Sequence, residues 1–247
     1  MTQRSAAPIR FVLFQPSHPG NIGAAARAIK VMGYHELVLV KPEQQHPQAE
    51  SRARSSNARD VLLNARVTET LAEAVADCGL VFGASARRRR LNWPEYNPRQ
   101  CAAEAIHAAA TKPVAIVFGN EQAGLTNDEL NLCNGLVYIP TDAEYSSLNL
   151  ASAVQVLAYE CRVAEDIPDP RPEPESPNAS SEDIELFYSH FEQVIVNSGF
   201  LNPDNPRNLM RRVRRLFNRV HLDENELNIM RGILSSVDPA KRVEPRD

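Results

Sequence analysis

Three short segments combine small residues with polar side chains that could bind a ligand or an anion. The first is residues 21–27 (NIGAAAR), in which Asn21 can cap a helix and Arg27 follows one turn inside it. An arginine near the positive end of a helix dipole can hold a phosphate or a developing oxyanion. The alternative is a structural arginine paired with a nearby carboxylate, and this segment alone does not decide between the two.

The second segment, residues 118–129 (FGNEQAGLTNDE), follows a predicted strand. Gly119 and Gly124 permit positive φ and expose backbone donors, and Thr126 with Glu129 matches a capping box for the next helix. The glycine spacing fits neither a dinucleotide-binding GxGxxG motif nor a P-loop. This segment is therefore weak evidence for a ligand when taken alone.

The third segment, residues 139–151 (IPTDAEYSSLNLA), links an apolar strand at 135–139 to an apolar helix. Such a loop lies at the carboxyl end of a strand, where open α/β sheets bind ligands. The alternative is an ordinary connection capped by Ser146 or Ser147. Residues 82–87 (FGASAR) form a similar loop after another strand. If the strands are parallel, these loops meet at one edge and form a pocket made largely of backbone.

The elements that must position these segments alternate between strand and helix. Short apolar runs predict strands, and apolar positions at helical spacing predict helices. The strands are expected at 9–14, 37–40, 80–83, 114–118 and 136–139, and the helices at 24–32, 71–76, 101–110 and 148–163, with a loop at 17–23. This order predicts an α/β fold whose mostly parallel sheet is covered by helices on both faces.

A change of composition divides the chain. Residues 1–166 carry the α/β pattern, whereas 167–181 alternate prolines with acids and serines and predict an extended linker that buries no core. Residues 182–247 show apolar positions at helical spacing, which predicts a small all-α domain of about three helices.

The charge distribution is uneven. A net charge of −4 over 247 residues argues against a generally basic nucleic-acid binder. Two local runs argue the other way: residues 87–90 are four consecutive arginines, and 207–219 hold six arginines and no acid. Local basic stripes on an acidic protein can bind phosphates.

The remaining composition indicates a cytoplasmic globular protein without a membrane anchor. Hydrophobic residues make up 43% of the chain, and no apolar run is long enough for a signal peptide or a membrane span. The cysteines are far apart, which suggests neither a zinc site nor a disulfide framework. We expect them to be reduced thiols in the core. They are Cys78, Cys101, Cys133 and Cys161.

Three segments, residues 21–27, 117–125 (VFGNEQAGL) and 145–151 (YSSLNLA), resemble the ordered motifs of the SPOUT RNA 2'-O-ribose methyltransferases. The basic loop after Ser85 and residues 226–234 (ELNIMRGIL) narrow the resemblance to the bacterial TrmJ type. It implies a deep trefoil knot in the C-terminal part of the sheet, a homodimer with a shared active site, and S-adenosylmethionine as methyl donor without a metal. It also implies methylation of a tRNA ribose, on cytidine or uridine at position 32 of the anticodon loop.

The motifs specify the reaction better than the target, so an enzyme acting on another tRNA position or on rRNA is the alternative. Two other classes are disfavoured. An RNA-binding module without catalysis does not explain why Arg27, Gly119 and Asn149 are intact. A nicotinamide enzyme would need a glycine fingerprint after the first strand, and that fingerprint is missing.

The resemblance assigns roles residue by residue. Its cofactor-binding positions are Ala84, Ser85, Ala86, Gly119, Glu121, Gly124, Ile139, Ser146, Ser147 and Leu148. Its catalytic positions are Arg27, Tyr145, Ser147 and Asn149. Arginine is a reluctant base, so Arg27 is expected to polarise the 2'-oxygen and hold the adjacent phosphate. Tyr145, Ser147 and the phosphate itself stay open as proton acceptors.

Two sets of arginines are predicted to contact RNA. Arg87, Arg88 and Arg89 would meet the RNA backbone near the site. Arg211, Arg215 and Arg219 recur every four residues on one predicted helical face and would add phosphate contacts. The same helix is expected to turn Leu209, Val213 and Leu216 toward the core.

Overall fold

One seven-stranded sheet forms the centre of the α/β domain. The computed structural model describes residues 7–86, 93–142, 144, 147–165 and 176–241. Within these residues the strand order is β3-β2-β1-β6-β4-β7-β5, and each neighbouring pair is parallel. The strands are β1 (Ile9–Phe14), β2 (Glu36–Val40), β3 (Arg66–Thr68), β4 (Leu80–Ala84), β5 (Glu95–Tyr96), β6 (Val114–Phe118) and β7 (Gly135–Val137).

Helices connect the strands and form the C-terminal part of the chain. Those of the α/β domain are α1 (Pro19–Val31), α2 (Ala49–Ser55), α3 (Arg59–Leu63), α4 (Leu71–Val75), α5 (Pro98–Ala108), α6 (Asn127–Leu130) and α7 (Leu150–Glu165). The C-terminal helices are α8 (Ser181–Asn197), α9 (Leu209–Asn218) and α10 (Glu224–Val237), followed by a 3-10 turn at Pro239–Lys241. In the described ranges, no helix is long and apolar enough to cross a bilayer.

The sheet is buried on both faces, which confirms the predicted α/β arrangement. Successive strand residues point to opposite faces, and the two faces belong to separate hydrophobic clusters. In β1, Phe11 and Leu13 belong to one cluster and Val12 to the other. Strands buried on both sides read as continuous apolar runs. This is why the predicted bounds of β1 and β6 match the structure.

The predicted loop at 17–23 is wrong from residue 19 onward, because α1 begins at Pro19. Proline suits the first helical position, where its fixed φ is helical and its missing N–H is not needed. The N-cap is His18, which makes no side-chain capping hydrogen bond. Asn21 is therefore inside the first turn and is not the predicted cap.

The four cysteines are buried and unpaired, as predicted. Burial raises the pKa of each thiol, to about 12 for Cys78 and Cys133. Protonated thiols in a closed core are poor nucleophiles. We therefore assign them packing roles.

The C-terminal helices pack around aromatic side chains, among them Phe187, Tyr188 and Phe217. The predicted core face of α9 is wrong at Leu216, which is 47% exposed. Val213 packs against the cluster as predicted, whereas Met210 and Phe217 take the places predicted for Leu209 and Leu216. The spacing of three and four residues that joins them places them on one side of the helix. Most of the predicted linker lies outside the described residues.

One arginine of the basic run has a structural role. Arg214 forms a bidentate ion pair with Glu185 and lies 4.4 Å from the ring centroid of Tyr188. A guanidinium stacked on an aromatic ring and paired with a carboxylate is held in place. Arg211 and Arg219 are exposed, and the ion pair of Arg211 with Asp128 is longer, 3.8 Å from Nη2 to Oδ1.

Candidate functional site

A cavity of about 220 Å³ opens at the carboxyl ends of β4, β6 and β7. These strands are neighbours in the sheet, so the loops that follow them meet, as open parallel sheets predict. The cavity is lined by Ala84, Ser85, Ala86, Phe118, Gly119, Asn120, Glu121, Gln122, Ala123, Gly124, Leu125, Val137, Ile139, Thr141, Ser147, Leu148, Leu150 and Ala153. Nine of these eighteen residues are glycine, alanine, serine or threonine, so a ligand could come close to the backbone there.

The structure brings together all the predicted cofactor-binding residues that it describes. They are Ala84, Ser85, Ala86, Gly119, Glu121, Gly124, Ile139, Ser147 and Leu148. Ser146 lies outside the described residues, as do Tyr145 and the predicted RNA contacts Arg87, Arg88 and Arg89.

The loop after β6 is a tight turn that closes on itself. A Cβ atom on Gly119 would lie 2.2 Å from the carbonyl carbon of Gly124, so only glycine fits there. Gly124 has a φ of +69°, and its N–H donates to the carbonyl of Asn120 over 2.8 Å. The amide oxygen of Asn120 accepts from the N–H of Gln122 over 2.9 Å. The loop therefore presents a fixed backbone to the cavity.

A chain of hydrogen bonds joins all three motif segments. Asn149 Nδ2 donates to Asn21 Oδ1 over 2.9 Å, and Asn21 Nδ2 donates to Glu121 Oε1 over 2.9 Å. Glu121 Oε2 also accepts from the N–H and the hydroxyl of Ser17. Glu121 thus ties the loop after β6 to the start of α1, and Asn21 ties both to the loop before α7.

Hydrogen bonding sets the charge state of Glu121. Partial burial alone would raise the pKa of its carboxyl, but hydrogen bonds from Asn21 and Ser17 to the carboxylate lower it to a net value below the ordinary one. A folded-state pKa below the unfolded one means that ionised Glu121 stabilises the fold at neutral pH.

We predict that Glu121→Gln lowers stability by about 1–2 kcal/mol at pH 7, because the amide NH2 would face the donors on Ser17. The carboxylate's contribution is complete above the unfolded glutamate pKa and disappears as the pH falls through the lower folded pKa. Thermal unfolding at several pH values should show the gap between wild type and variant closing in acid. Glu192→Gln, at an exposed position on α8, is the control. A pH-independent gap would contradict this role of the charge.

Arg27 is in the third turn of α1 and is exposed. It is further from the helix start than predicted, because α1 begins two residues before Asn21. Within the described part of the chain, it makes no hydrogen bond or ion pair, and it does not line the cavity. No carboxylate in those residues anchors it, so its guanidinium is open to solvent or to a partner molecule.

Asn149 has a structural role in addition to the predicted catalytic one. Its side-chain oxygen accepts from the N–H of Ala151 over 2.9 Å, and α7 starts at Leu150. It is therefore the N-cap of α7. The alternative prediction, that Ser146 or Ser147 caps this helix, is wrong. This cap also orients the Asn149 amide toward Asn21.

Sequence reasoning missed several cavity residues, among them Asn120, Gln122 and Thr141. The turn at Asn120 could have been predicted from the sequence, because an asparagine between a glycine and small or polar residues favours a turn held by its own side chain. The place of Thr141 could not, since it depends on where the chain turns after β7. The capping box of Thr126 and Glu129 is confirmed at the start of α6.

Two family models match the chain. The SpoU rRNA Methylase family matches residues 8–159, and the C-terminal domain of the tRNA methyltransferase TrmJ matches residues 182–246. The chain is 47% identical to the tRNA (cytidine/uridine-2'-O-)-methyltransferase TrmJ of Cronobacter sakazakii, over 96% of this chain and 98% of that protein.

Two further relatives are similar over nearly the whole length. The tRNA (cytidine/uridine/adenosine-2'-O-)-methyltransferase TrmJ of Pseudomonas aeruginosa is 47% identical, over 95% of each chain. The crystal structure of TrmJ from Z. mobilis ZM4 superposes with a TM-score of 0.80 at 34% identity, covering 92% of this chain and 98% of that one.

Proposed function

Because the chain belongs to the SpoU rRNA methylase family, as a member of its TrmJ type, we propose that it methylates tRNA on a ribose 2'-oxygen. The methyl donor is S-adenosylmethionine, and the target is the cytidine or uridine at position 32 of the anticodon loop. The observation that carries the proposal is that the second and third motif segments line one cavity, while Asn21 of the first segment is hydrogen-bonded to Glu121 and Asn149 of the other two. The transfer requires no metal, because the sulfonium already activates the methyl group.

The cavity fits the methyl donor by its backbone. Gly119 lets the loop after β6 close on itself, because a Cβ there would lie 2.2 Å from the carbonyl carbon of Gly124, and the closed loop lines the cavity with its main chain. Ala84, Ser85 and Ala86 on one side, and Ile139 and Leu148 on the other, would hold the nucleoside part. When bound, S-adenosylmethionine supplies a methyl group already activated by its sulfonium.

The protein's task is then to align the ribose hydroxyl and to ease the loss of its proton. Arg27 carries a permanent charge with five donors in a fixed fork, which suits it to polarise the 2'-oxygen and hold the adjacent phosphate. Ser147 lines the cavity and is a proton acceptor candidate with Tyr145. Asn149 holds the third segment against Asn21.

We further propose a homodimer in which each active site uses residues of both subunits. Arg27 is exposed and apart from the cavity lining of its own chain, which is the arrangement expected if it serves the cavity of the partner. The C-terminal part of the sheet, from β6 to α7, would form the deep trefoil knot, and residues 182–247 the small all-α domain that adds tRNA contacts.

The basic face of α9 supports the proposed tRNA contact. Arg211 Nη2 forms an ion pair with Asp128 Oδ1 over 3.8 Å, which places the start of α9 beside α6, the element that follows the cavity loop. Arg211 and Arg219 are exposed, so they can reach phosphates beyond the cavity mouth. Recognition through phosphates and shape would suit a folded RNA.

We predict that replacing Arg211, Arg215 and Arg219 together by glutamine weakens tRNA binding about tenfold or more. It should also reduce the steepness of the slope of log K against log salt concentration, by up to about 0.7–0.9 for each phosphate contact that is lost. Filter binding across a salt series measures both. Arg66→Gln, at the first residue of β3 and thus at the opposite edge of the sheet, is the control. An unchanged slope in the triple variant would show that these arginines of α9 do not contact RNA phosphates.

A transfer assay tests the proposed function. Purified protein is incubated with labelled S-adenosylmethionine and unmodified tRNA or rRNA transcripts, and the methylated ribose is mapped. We expect label in tRNA at position 32. Label only in rRNA or at another tRNA position would support the alternative target, and no transfer to any RNA would overturn the proposal.

A further inference from the structure

The C-terminal helices contact the α/β domain through a buried asparagine. Asn218, the last residue of α9, is only 4% exposed although it is polar. Its Nδ2 donates to the carbonyls of Cys133 and Asn131, over 3.1 and 3.3 Å. Its Oδ1 accepts from the hydroxyl of Tyr188 over 2.5 Å. One side chain therefore links the aromatic core of the C-terminal helices to the turn after α6.

The contact continues to the central sheet. Asn134 Nδ2 donates to the carbonyl of Asn218 over 3.4 Å, and its Oδ1 accepts from the N–H of Val81 in β4 over 2.8 Å. The N–H of Asn134 also donates to the carbonyl of Val81 over 2.8 Å. The turn at 131–134 is thus hydrogen-bonded to α9 on one side and to β4 on the other.

This turn belongs to the segment that connects two walls of the cavity. Residues 126–134 follow Leu125, which lines the cavity, and precede β7, whose Val137 also lines it. The segment packs directly behind a third wall, because a Cβ on Gly83 would lie 3.0 Å from Cys133 Sγ and 3.2 Å from Leu125. A shift of the 131–134 turn would therefore displace Leu125 and the strand residues next to Ala84, and so change the shape of the cavity.

One further contact reaches this segment, the ion pair of Arg211 Nη2 with Asp128 Oδ1 over 3.8 Å, which a change at Asn218 leaves in place. Contacts elsewhere between the two parts of the chain are independent of it. Lys112 pairs with Glu224 of α10 over 2.6 Å. The N–H groups of Ser181 and Glu182 donate to the carbonyls of Cys78 and Ala76. None of these contacts involves a residue of 126–134, so removing one of them separates general docking from bracing of that segment.

We propose that Asn218 is a positioning residue: it braces residues 126–134 and so sets the shape of the cavity in which the methyl donor binds. The inference rests on the proposed function for the identity of the ligand, but the bracing itself does not. A buried amide whose donors and acceptor are all paired is costly to disturb. The C-terminal helices thereby support the cofactor cavity in addition to any contact with RNA.

The test compares Asn218→Leu, which keeps the branching at Cγ but loses every hydrogen bond of the side chain, with the full-length wild type. Calorimetry with S-adenosylmethionine alone, without RNA, should show binding weakened about tenfold, as expected for losing one to two buried hydrogen bonds. Hydrogen exchange measured by mass spectrometry should show faster exchange at residues 126–137. Asn218→Thr, which keeps one donor and acceptor, should restore part of both.

Two further variants keep the result interpretable. Lys112→Met removes a docking contact away from the segment and should leave methyl-donor binding and exchange at 126–137 unchanged. Tyr188→Phe removes one bond to Asn218 but leaves its amide donors, and it serves if Asn218→Leu does not fold; it should give a smaller shift in the same direction.

Wild-type affinity and exchange in folded Asn218→Leu would overturn the proposal, as would an equal effect of Lys112→Met. If Tyr188→Phe has to be used, unchanged exchange in that variant would overturn it. If the wild type binds no S-adenosylmethionine, the proposed function fails, and the exchange measurement still decides whether Asn218 braces the segment.

Discussion

Arg27→Ala is expected to lower the rate of methyl transfer about a hundredfold or more, the usual cost of removing a preorganised donor to a developing oxyanion. The side chain is exposed and, among the described residues, forms no hydrogen bond or ion pair. Its loss should therefore leave folding and methyl-donor binding intact. Single-turnover assays with saturating S-adenosylmethionine and tRNA measure the chemical step directly.

The matched control is Arg27→Lys, which keeps the charge but loses the planar fork, and we expect an intermediate rate. Thermal unfolding and calorimetric binding of the methyl donor should match wild type in both variants. Full activity in folded Arg27→Ala would show that Arg27 has no catalytic role, and a large loss of stability would support the structural alternative.

Gly119→Val is expected to abolish methyl-donor binding, with a Kd raised about a hundredfold or more, and to cost about 1–3 kcal/mol of stability. A Cβ at this position would lie 2.2 Å from Gly124 C and 2.4 Å from Leu125 N, so the loop after β6 would have to open. The clash is with backbone, which cannot rotate away as a side chain can. Calorimetry and thermal unfolding measure the two effects.

Gly232→Ala provides the control for Gly119→Val. A Cβ on Gly232 meets nothing within 4 Å, and alanine is the better helix former. We therefore expect unchanged methyl-donor binding and a slightly higher unfolding temperature. Wild-type binding in Gly119→Val would contradict the assignment of the loop after β6 to the cofactor cavity.

The α/β layout was predictable because its signals are local. Strands such as Val114–Phe118 are buried on both faces and read as continuous apolar runs. The loops after β4, β6 and β7 could be predicted to lie at the same edge of the sheet, because parallel strands all end at that edge. The short strands Arg66–Thr68 and Glu95–Tyr96 were not predicted, because they have few residues and little apolar character. Their pairing is decided by neighbouring strands.

Other features depend on contacts between distant residues and left no local pattern. Asn21 looks like a cap in sequence, but Pro19 starts the helix earlier and frees the amide to bridge Glu121 and Asn149. Asn218 lies among arginines in a basic run, where nothing indicates a buried junction. The knot that we propose would likewise leave no trace in the periodicity of the sequence, because chain connections are normally unknotted.

The central claim is that the methyl group goes to a ribose 2'-oxygen at one tRNA nucleotide, and a single-atom change tests it. Two transcripts of the same tRNA are compared, one with ribose throughout and one with 2'-deoxyribose only at nucleotide 32. Both are incubated with the protein and labelled S-adenosylmethionine. We predict methylation of the first and none of the second, with similar binding of both. Equal labelling of the two transcripts would contradict the account.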